Sequence, residues 1–281
     1  MKILVIGDFH GKFLSKLNNL TKKVDLVVSL GDYPSWSLKK EFFQYCYKKK
    51  DVQLWEKVGK KRYKEESIKD LKKGKEIIEK LNKFPVPVFS VLGNYDHPSD
   101  DVHDLKKKKG KKFWKWDEDK AYYFSKLIKN YQNIRRIDYQ SFEFKGIVFI
   151  GARGHSYPGK VKSKAYKKYK KILDKLFNKN KNKKIIFVTH IGPYETKLDK
   201  ITDKNAHKIA KGKHYGSKMF KRLITKWQPL LNLSGHFHEN QGKDKIRKTV
   251  IVNSGAIEQN KFAIVDIDEE KGKVKSVKFF G

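Results

Sequence analysis

Seven side chains that follow apolar runs in this 281-residue chain have the donor chemistry to hold metal ions: Asp8, His10, Asp32, Asn94, His190, His236 and His238. They supply two carboxylates, one amide oxygen and four imidazoles with no thiolate. That set suits a borderline divalent ion such as Mn, Fe, Ni or Zn rather than calcium. Asp8 and His10 are two apart, so an extended backbone sends both side chains to the same side, where they can converge on one ion. Seven donors exceed the needs of a single ion, and two ions sharing a carboxylate is the economical arrangement.

The elements that must position these residues are short apolar strands. Ile3 to Ile6 runs without a break into Gly7 and Asp8, as expected of a strand covered on both faces. The plan recurs in Asp25 to Asp32, in Val88 to Leu92 before Gly93-Asn94, in Lys184 to Thr189 before His190, and in Leu230 to Leu233 before Ser234-Gly-His236. Sites in open α/β sheets form outside the carboxyl ends of the strands, so these five turns are expected to meet in one crevice. Between them, Lys12 to Leu20, Ser67 to Asn82, Ala121 to Asn130, Ser163 to Phe177 and Ser217 to Lys226 read as helices. Further β segments are expected at Asp138 to Phe144, Ile147 to Ile150 and Thr249 to Val252. Phe262 to Ile267 and Val274 to Phe280 read as a closing hairpin.

Length and pattern favour one domain spanning 1–281, with helical or basic insertions at about 33–66 and 98–120. No stretch approaches the roughly 18 apolar residues of a membrane span, and the N-terminus lacks a signal-peptide pattern. The expectation is a soluble, cytoplasmic protein without a membrane partner. The single cysteine, Cys46, cannot form an internal disulfide, which fits a reducing compartment.

A formal net charge of +35 ordinarily points to nucleic acid or another polyanion. Only six of the 66 basic residues are arginine, however (62, 135, 136, 153, 222 and 247). Lysine offers a hydrated point charge rather than the planar fork that reads phosphate or guanine, which favours a composition bias over specific readout. The field still attracts anionic substrates. The string Phe113-Trp-Lys-Trp116 and the lysine run at 106–109 could stack bases and track a backbone, but the favoured expectation is an insertion whose tryptophans pack onto the domain.

Asp8-x-His10, Gly31-Asp32, Gly93-Asn94-x-Asp96, His190 and Gly235-His-x-His238 resemble, in order and spacing, the five motifs of the calcineurin-like metallophosphoesterases. The finer features, among them His190-Ile-Gly-Pro-Tyr194, Lys197-Leu-Asp199 and His214-Tyr-Gly-Ser217, look most similar to the archaeal Icc-related branch. The resemblance implies an α/β sandwich of two mixed β-sheets packed face to face and flanked by helices, with the C-terminal hairpin expected to complete the second sheet. It implies that Asp8, His10, Asp32 and His238 hold one divalent ion and that Asp32, Asn94, His190 and His236 hold the other, manganese being the first expectation. A hydroxide bridging the two would be the nucleophile. Where family members carry a histidine after the motif's Asn, this chain has Tyr95 and then Asp96, with a histidine only at His97. The catalytic proton donor is therefore open between His97, Tyr95, His155 and none of these. Arg153 and His155, leaving the end of a core strand, are expected substrate contacts.

The leading function is a dinuclear-metal phosphohydrolase acting on phosphodiesters or phosphomonoesters, with nucleotide-type substrates in view. The alternatives are a metal-dependent nuclease cutting DNA or RNA and a non-catalytic binding scaffold. Retention of all seven ligands argues against the scaffold.

Overall fold

The computed structural model describes residues 1–47, 49, 52–96, 114–154, 164–203 and 210–281. His97, His103, the lysine run at 106–109, Phe113, His155 and His207 lie outside them.

Two six-stranded mixed sheets form the centre. The first has the order β12-β11-β1-β2-β3-β4, built from β1 (Lys2–Ile6), β2 (Leu26–Ser29), β3 (Val88–Ser90), β4 (Ile134–Arg136), β11 (Phe262–Asp268) and β12 (Lys273–Phe280). The second has the order β5-β6-β7-β8-β10-β9, built from β5 (Ser141–Phe144), β6 (Ile147–Ala152), β7 (Lys184–Ile191), β8 (Leu231–Gly235), β9 (Gly242–Ile246) and β10 (Thr249–Asn253). Strands β1 to β4 run parallel to one another, as do β6, β7, β8 and β10. The remaining pairings are antiparallel.

The unbroken apolar runs are explained by burial on both faces. Ile3 and Val5 of β1 join Val28, Phe89, Phe149, Val188, Leu233 and Val252 in a core between the sheets. The alternate residues Leu4 and Ile6 face outward, with Val27, onto Leu71, Ile78 and Leu81 of the crossover helix α4 (Lys60–Asn82). On the far side, Val148, Ile150 and Phe187 meet Leu173 and Phe177 of α7 (Lys164–Lys179) and Phe220, Leu223 and Ile224 of α8 (Lys218–Trp227). Shorter helices are α1 (Leu17–Leu20), α2 (Lys39–Tyr45), α3 (Leu54–Val58), α5 (Lys115–Ala121) and α6 (Tyr123–Leu127). No helix among the described residues is long and apolar enough to cross a membrane.

One expectation about topology needs correcting. The C-terminal hairpin completes the first sheet, not the second: β11 pairs antiparallel with β1, placing Val265 opposite Ile3 and Ala263 opposite Val5. This arrangement covers the edge of β1 with apolar partners and buries the N-terminal ammonium, which pairs with Glu269 at 2.8 Å. The strands that carry the expected ligands are divided between the two sheets. Strands β1, β2 and β3 lie in the first and β7 and β8 in the second, so the crevice forms where the carboxyl ends of two sheets meet.

Local departures have local causes. The 12–20 segment is helical only from Leu17, because Lys12 N–H closes a turn on the Phe9 carbonyl. Helix α4 starts seven residues before Ser67, in a stretch of strong helix formers that carries little apolar periodicity to announce it. The charged edge strands β4 and β9 lack the apolar alternation that marks a strand. Trp114 packs on Trp55 and Tyr63, each with ring centroids 5.9 Å apart, and Trp116 packs against the outer core of the first sheet, in line with the packing role expected of this insertion.

Candidate metal centre

All seven expected ligands lie at the carboxyl ends of their strands, and six of them gather into two groups. Asp8, His10 and His238 form one; Asp32, His190 and His236 form the other, the ligand atoms within each lying within 4.8 Å of one another. Asn94 joins the second, its Oδ1 lying 2.8 Å from His190 Nε2. Asp32 Oδ2 stands between the groups, 3.4 Å from His190 Nε2 and 3.9 Å from His10 Nε2.

The turns that carry these side chains are tight. Asp8, His10, Asp32 and His236 all have positive φ, of 53°, 44°, 58° and 69°. Non-glycine residues adopt this region at a cost that surrounding contacts must offset. Here, Asp8 N–H donates to the Gly31 carbonyl at 2.9 Å and His10 N–H to the Asp32 carbonyl at 3.0 Å, stitching the first two ligand turns together. Glycine is required where the turns nearly touch. A Cβ on Gly93 would sit 2.1 Å from Asp32 Oδ1, and one on Gly235 would sit 2.3 Å from Asp8 Oδ2.

The protonation pattern fits a cation. His190 Nδ1 lies 2.7 Å from the Leu30 carbonyl, a contact that assigns the ring proton to Nδ1 and leaves a lone pair on Nε2. That lone pair faces Asn94 Oδ1, Asp32 Oδ2 and, at 3.2 Å, His236 Nδ1. Burial keeps both imidazoles neutral, lowering the pKa of His190 and taking that of His236 down to about 3. His10 is likewise held to about 3, chiefly by burial. Burial also pushes the Asp32 carboxyl up, and the charges of Asp96 and Asp8 add to the effect. Neutral imidazole nitrogens and Asn94 Oδ1 thus converge on a carboxyl whose charge is costly here without a partner, an arrangement that a divalent ion satisfies.

Asp8 is tied more firmly. Its Oδ2 accepts the His236 N–H at 2.9 Å and its Oδ1 lies 3.2 Å from His238 Nε2. Burial raises the Asp8 pKa, but the hydrogen bond and charge of His238, with His190 and His10 behind them, outweigh burial and hold it well below the usual carboxylate range.

Tyr95 and Asp96, which follow Asn94 in the third motif, both contact the donor groups or their backbone. Asp96 is buried and accepts three backbone N–H bonds, from Asp32 at 2.8 Å, Tyr33 at 2.9 Å and Gly93 at 2.7 Å. The Tyr95 ring stands edge-on to His10 with centroids 5.2 Å apart, and its N–H donates to Asp32 Oδ1 at 2.7 Å. Arg153 is 1% exposed, its guanidinium lying over the rings of Tyr169 and Tyr139 at 5.2 and 5.8 Å. His214 pairs with Asp199 at 2.8 Å in the loop after β7.

Two supporting groups had no signal in the sequence. The Leu30 carbonyl is backbone, and no side-chain pattern reports it. Glu258 Oε2 lies 3.7 Å from His238 Nδ1, brought there by Ile257 and Glu258 N–H bonds to the Gly7 and Asp8 carbonyls. Only the return of β11 onto β1 could have revealed it.

A family model for calcineurin-like phosphoesterases matches residues 1–240. The chain belongs to that family. Its fold is shared by a solved structure that aligns over 100% of this chain and 99% of the other, at 21% identity and a TM-score of 0.68. The Thermus thermophilus protein TT1561 aligns over 100% and 98%, at 14% identity and a TM-score of 0.50. Among curated proteins, the uncharacterized MJ1162 of Methanocaldococcus jannaschii is 33% identical over 120 residues, covering 42% of this chain. The chain spans about half the length of that relative, the match covering 52% of it.

Proposed function

We propose that this calcineurin-like phosphoesterase is a dinuclear-metal phosphohydrolase, in which Asp8, His10, Asp32 and His238 hold one ion and Asp32, Asn94, His190 and His236 the other. The observation that carries this reading is the convergence of two groups of donor side chains on either side of Asp32 Oδ2, which lies 3.4 and 3.9 Å from the nearest imidazole of each group. Two divalent ions held there would acidify a shared water into a nucleophile at neutral pH and offset the charge that builds on the phosphoryl oxygens.

The chain's own residues supply the rest. His190 is fixed in one tautomer by the Leu30 carbonyl, and Asp8 both accepts the His236 amide and orients His238. Asp96 holds the backbone of Asp32 and Gly93 in place, acting as a positioning residue. Manganese is the first candidate metal on the family resemblance, with iron, nickel and zinc as alternatives that this imidazole- and carboxylate-rich donor set also suits. Phosphodiesters and phosphomonoesters of nucleotide type are the proposed substrates, and the Icc-like motifs around His190 and His214 support that branch. Arg153 and His155 remain proposed substrate contacts. A single domain and a cytoplasmic location complete the proposal.

A panel of aryl mono- and diesters, cyclic nucleotides, dinucleotides and single-stranded nucleic acid, assayed with manganese and after chelation, tests it. Metal-dependent hydrolysis of small esters is the expected result. Cutting of nucleic acid alone would promote a nuclease, for which the +35 charge is the favouring observation. Inactivity toward the whole panel, with no bound metal, would overturn the proposal.

A further inference from the structure

A ladder of aromatic rings leads away from the metal centre. Tyr95, stacked edge-on to His10, packs against Trp36 with centroids 4.4 Å apart. Trp36 in turn touches Phe42 at 5.3 Å and Phe43 at 5.6 Å, and Phe43 meets Tyr47 at 5.1 Å. The ladder therefore begins on an expected metal ligand and ends at the surface, where Phe43 is 49% exposed.

A miniature core would bury these rings, but no residue of α2 (Lys39–Tyr45), which carries Phe42 and Phe43, is buried. Trp36 and Tyr95 are only half-buried. The rings meet one another mostly in tilted contacts, with interplanar angles of 49° to 55° about Trp36, while leaving apolar surface beside the centre. Lys39 Nζ stands 5.8 Å from the Trp36 ring, and its charge reaches His10 and His238. Across from the ladder, the Tyr215 phenol from the loop after β7 lies near enough to act on Tyr47.

We infer that Trp36 and Phe43, with Tyr95 and Lys39, form a stacking subsite for a planar aromatic group esterified to the phosphate at the metal centre. The inference rests on the phosphohydrolase reading and names the side chains that would take the aromatic part of the substrate. Aromatic side chains bind bases and aryl rings through offset and edge contacts that do not depend on base identity, and a cation beside them adds attraction for the phosphate. A nucleoside and a simple aryl group both meet this requirement, and the choice between them is left to measurement.

The test is calorimetric titration of the manganese-loaded protein with thymidine 5′-monophosphate, phenyl phosphate and methyl phosphate, repeated with Phe43→Ala and Trp36→Ala. Phe43 lies at the surface, so its truncation spares the fold even where Trp36→Ala does not. Wild type should bind both aromatic esters roughly five- to hundred-fold more tightly than methyl phosphate, the range expected for stacking one ring. The ratio should fall toward one in the variants. The ranking of thymidine 5′-monophosphate against phenyl phosphate then identifies the group the subsite takes. Equal affinity of wild type for all three, or a preference untouched by both substitutions, would overturn the subsite. Failure of the phosphohydrolase reading shows separately, as absence of metal-dependent release of p-nitrophenol from methyl p-nitrophenyl phosphate by wild type.

Discussion

The Asp96 carboxylate holds the backbone N–H of Asp32 at 2.8 Å, and the same oxygen takes the Gly93 N–H at 2.7 Å while its neighbour takes that of Tyr33 at 2.9 Å. One buried side chain thus fixes both the φ of +58° at Asp32 and the close approach of Gly93. Asp96→Asn keeps one acceptor oxygen but turns an NH2 toward a backbone donor. Leaving a buried donor unsatisfied costs about 1–3 kcal/mol. The expected outcome is a melting temperature lower by several degrees and weaker manganese binding, read by thermal denaturation and metal titration. Unchanged values for both would show that Asp96 does not organise the centre.

Asp32→Ala should abolish metal-dependent hydrolysis more completely than loss of any other single ligand, because its Oδ2 faces both groups. The fall should exceed the roughly 10- to 100-fold typical of losing a supporting partner. Metal analysis after dialysis, compared with His238→Ala, gives the check. Retention of two ions with near-normal turnover would refute the shared carboxylate.

The strands and the clustering of donor side chains at their ends were legible because burial on both faces demands unbroken apolar runs and a metal site would demand particular side chains after them. Ile3 to Ile6 before Asp8 shows both constraints in a few letters. The partner of β1 was not legible, because any alternating apolar strand could have covered that edge. Nor were the Leu30 carbonyl and Glu258, whose roles depend on tertiary placement and leave no spacing in the sequence. Asp96 was found by its motif, but its three amide contacts required the structure.

Lys120 makes a stability prediction independent of metal. Its side chain is 8% exposed, 3.5 Å from Asp117 and bonded to the Tyr63 phenol at 2.5 Å. Burial lowers its pKa, with the charge and hydrogen bond of Asp117 opposing only in part. The unfolded chain therefore binds more protons between the lowered pKa and the ordinary lysine value, and stability should rise with pH through that window. The rise should end near pH 10, where Tyr63, whose phenol is pushed up by burial, begins to act with the opposite sign. Urea denaturation from pH 7 to pH 10 measures the slope, which Lys120→Met should flatten. An unaltered slope in that variant would assign it to other groups.

The last prediction concerns departure of the leaving group. Tyr95 stands where the resemblance to the family leads one to expect a histidine, and its ring is packed between His10 and Trp36. A phenol ordinarily titrates near 10 and is a poorer proton donor at neutral pH than imidazolium. Aryl diesters and phosphoanhydrides, whose leaving groups need little protonation, should therefore be hydrolysed far faster than simple alkyl monoesters. A plot of rate against leaving-group pKa, for wild type, His97→Ala and Tyr95→His, decides the matter. Wild type should give a steep dependence, and Tyr95→His should flatten it by restoring an imidazole at that position. A flat wild-type plot would show that protonation is intact or not limiting. If His97→Ala steepens the dependence further, His97 carries part of the proton transfer. If it leaves the slope unchanged, the donor is solvent or another residue at the mouth of the site.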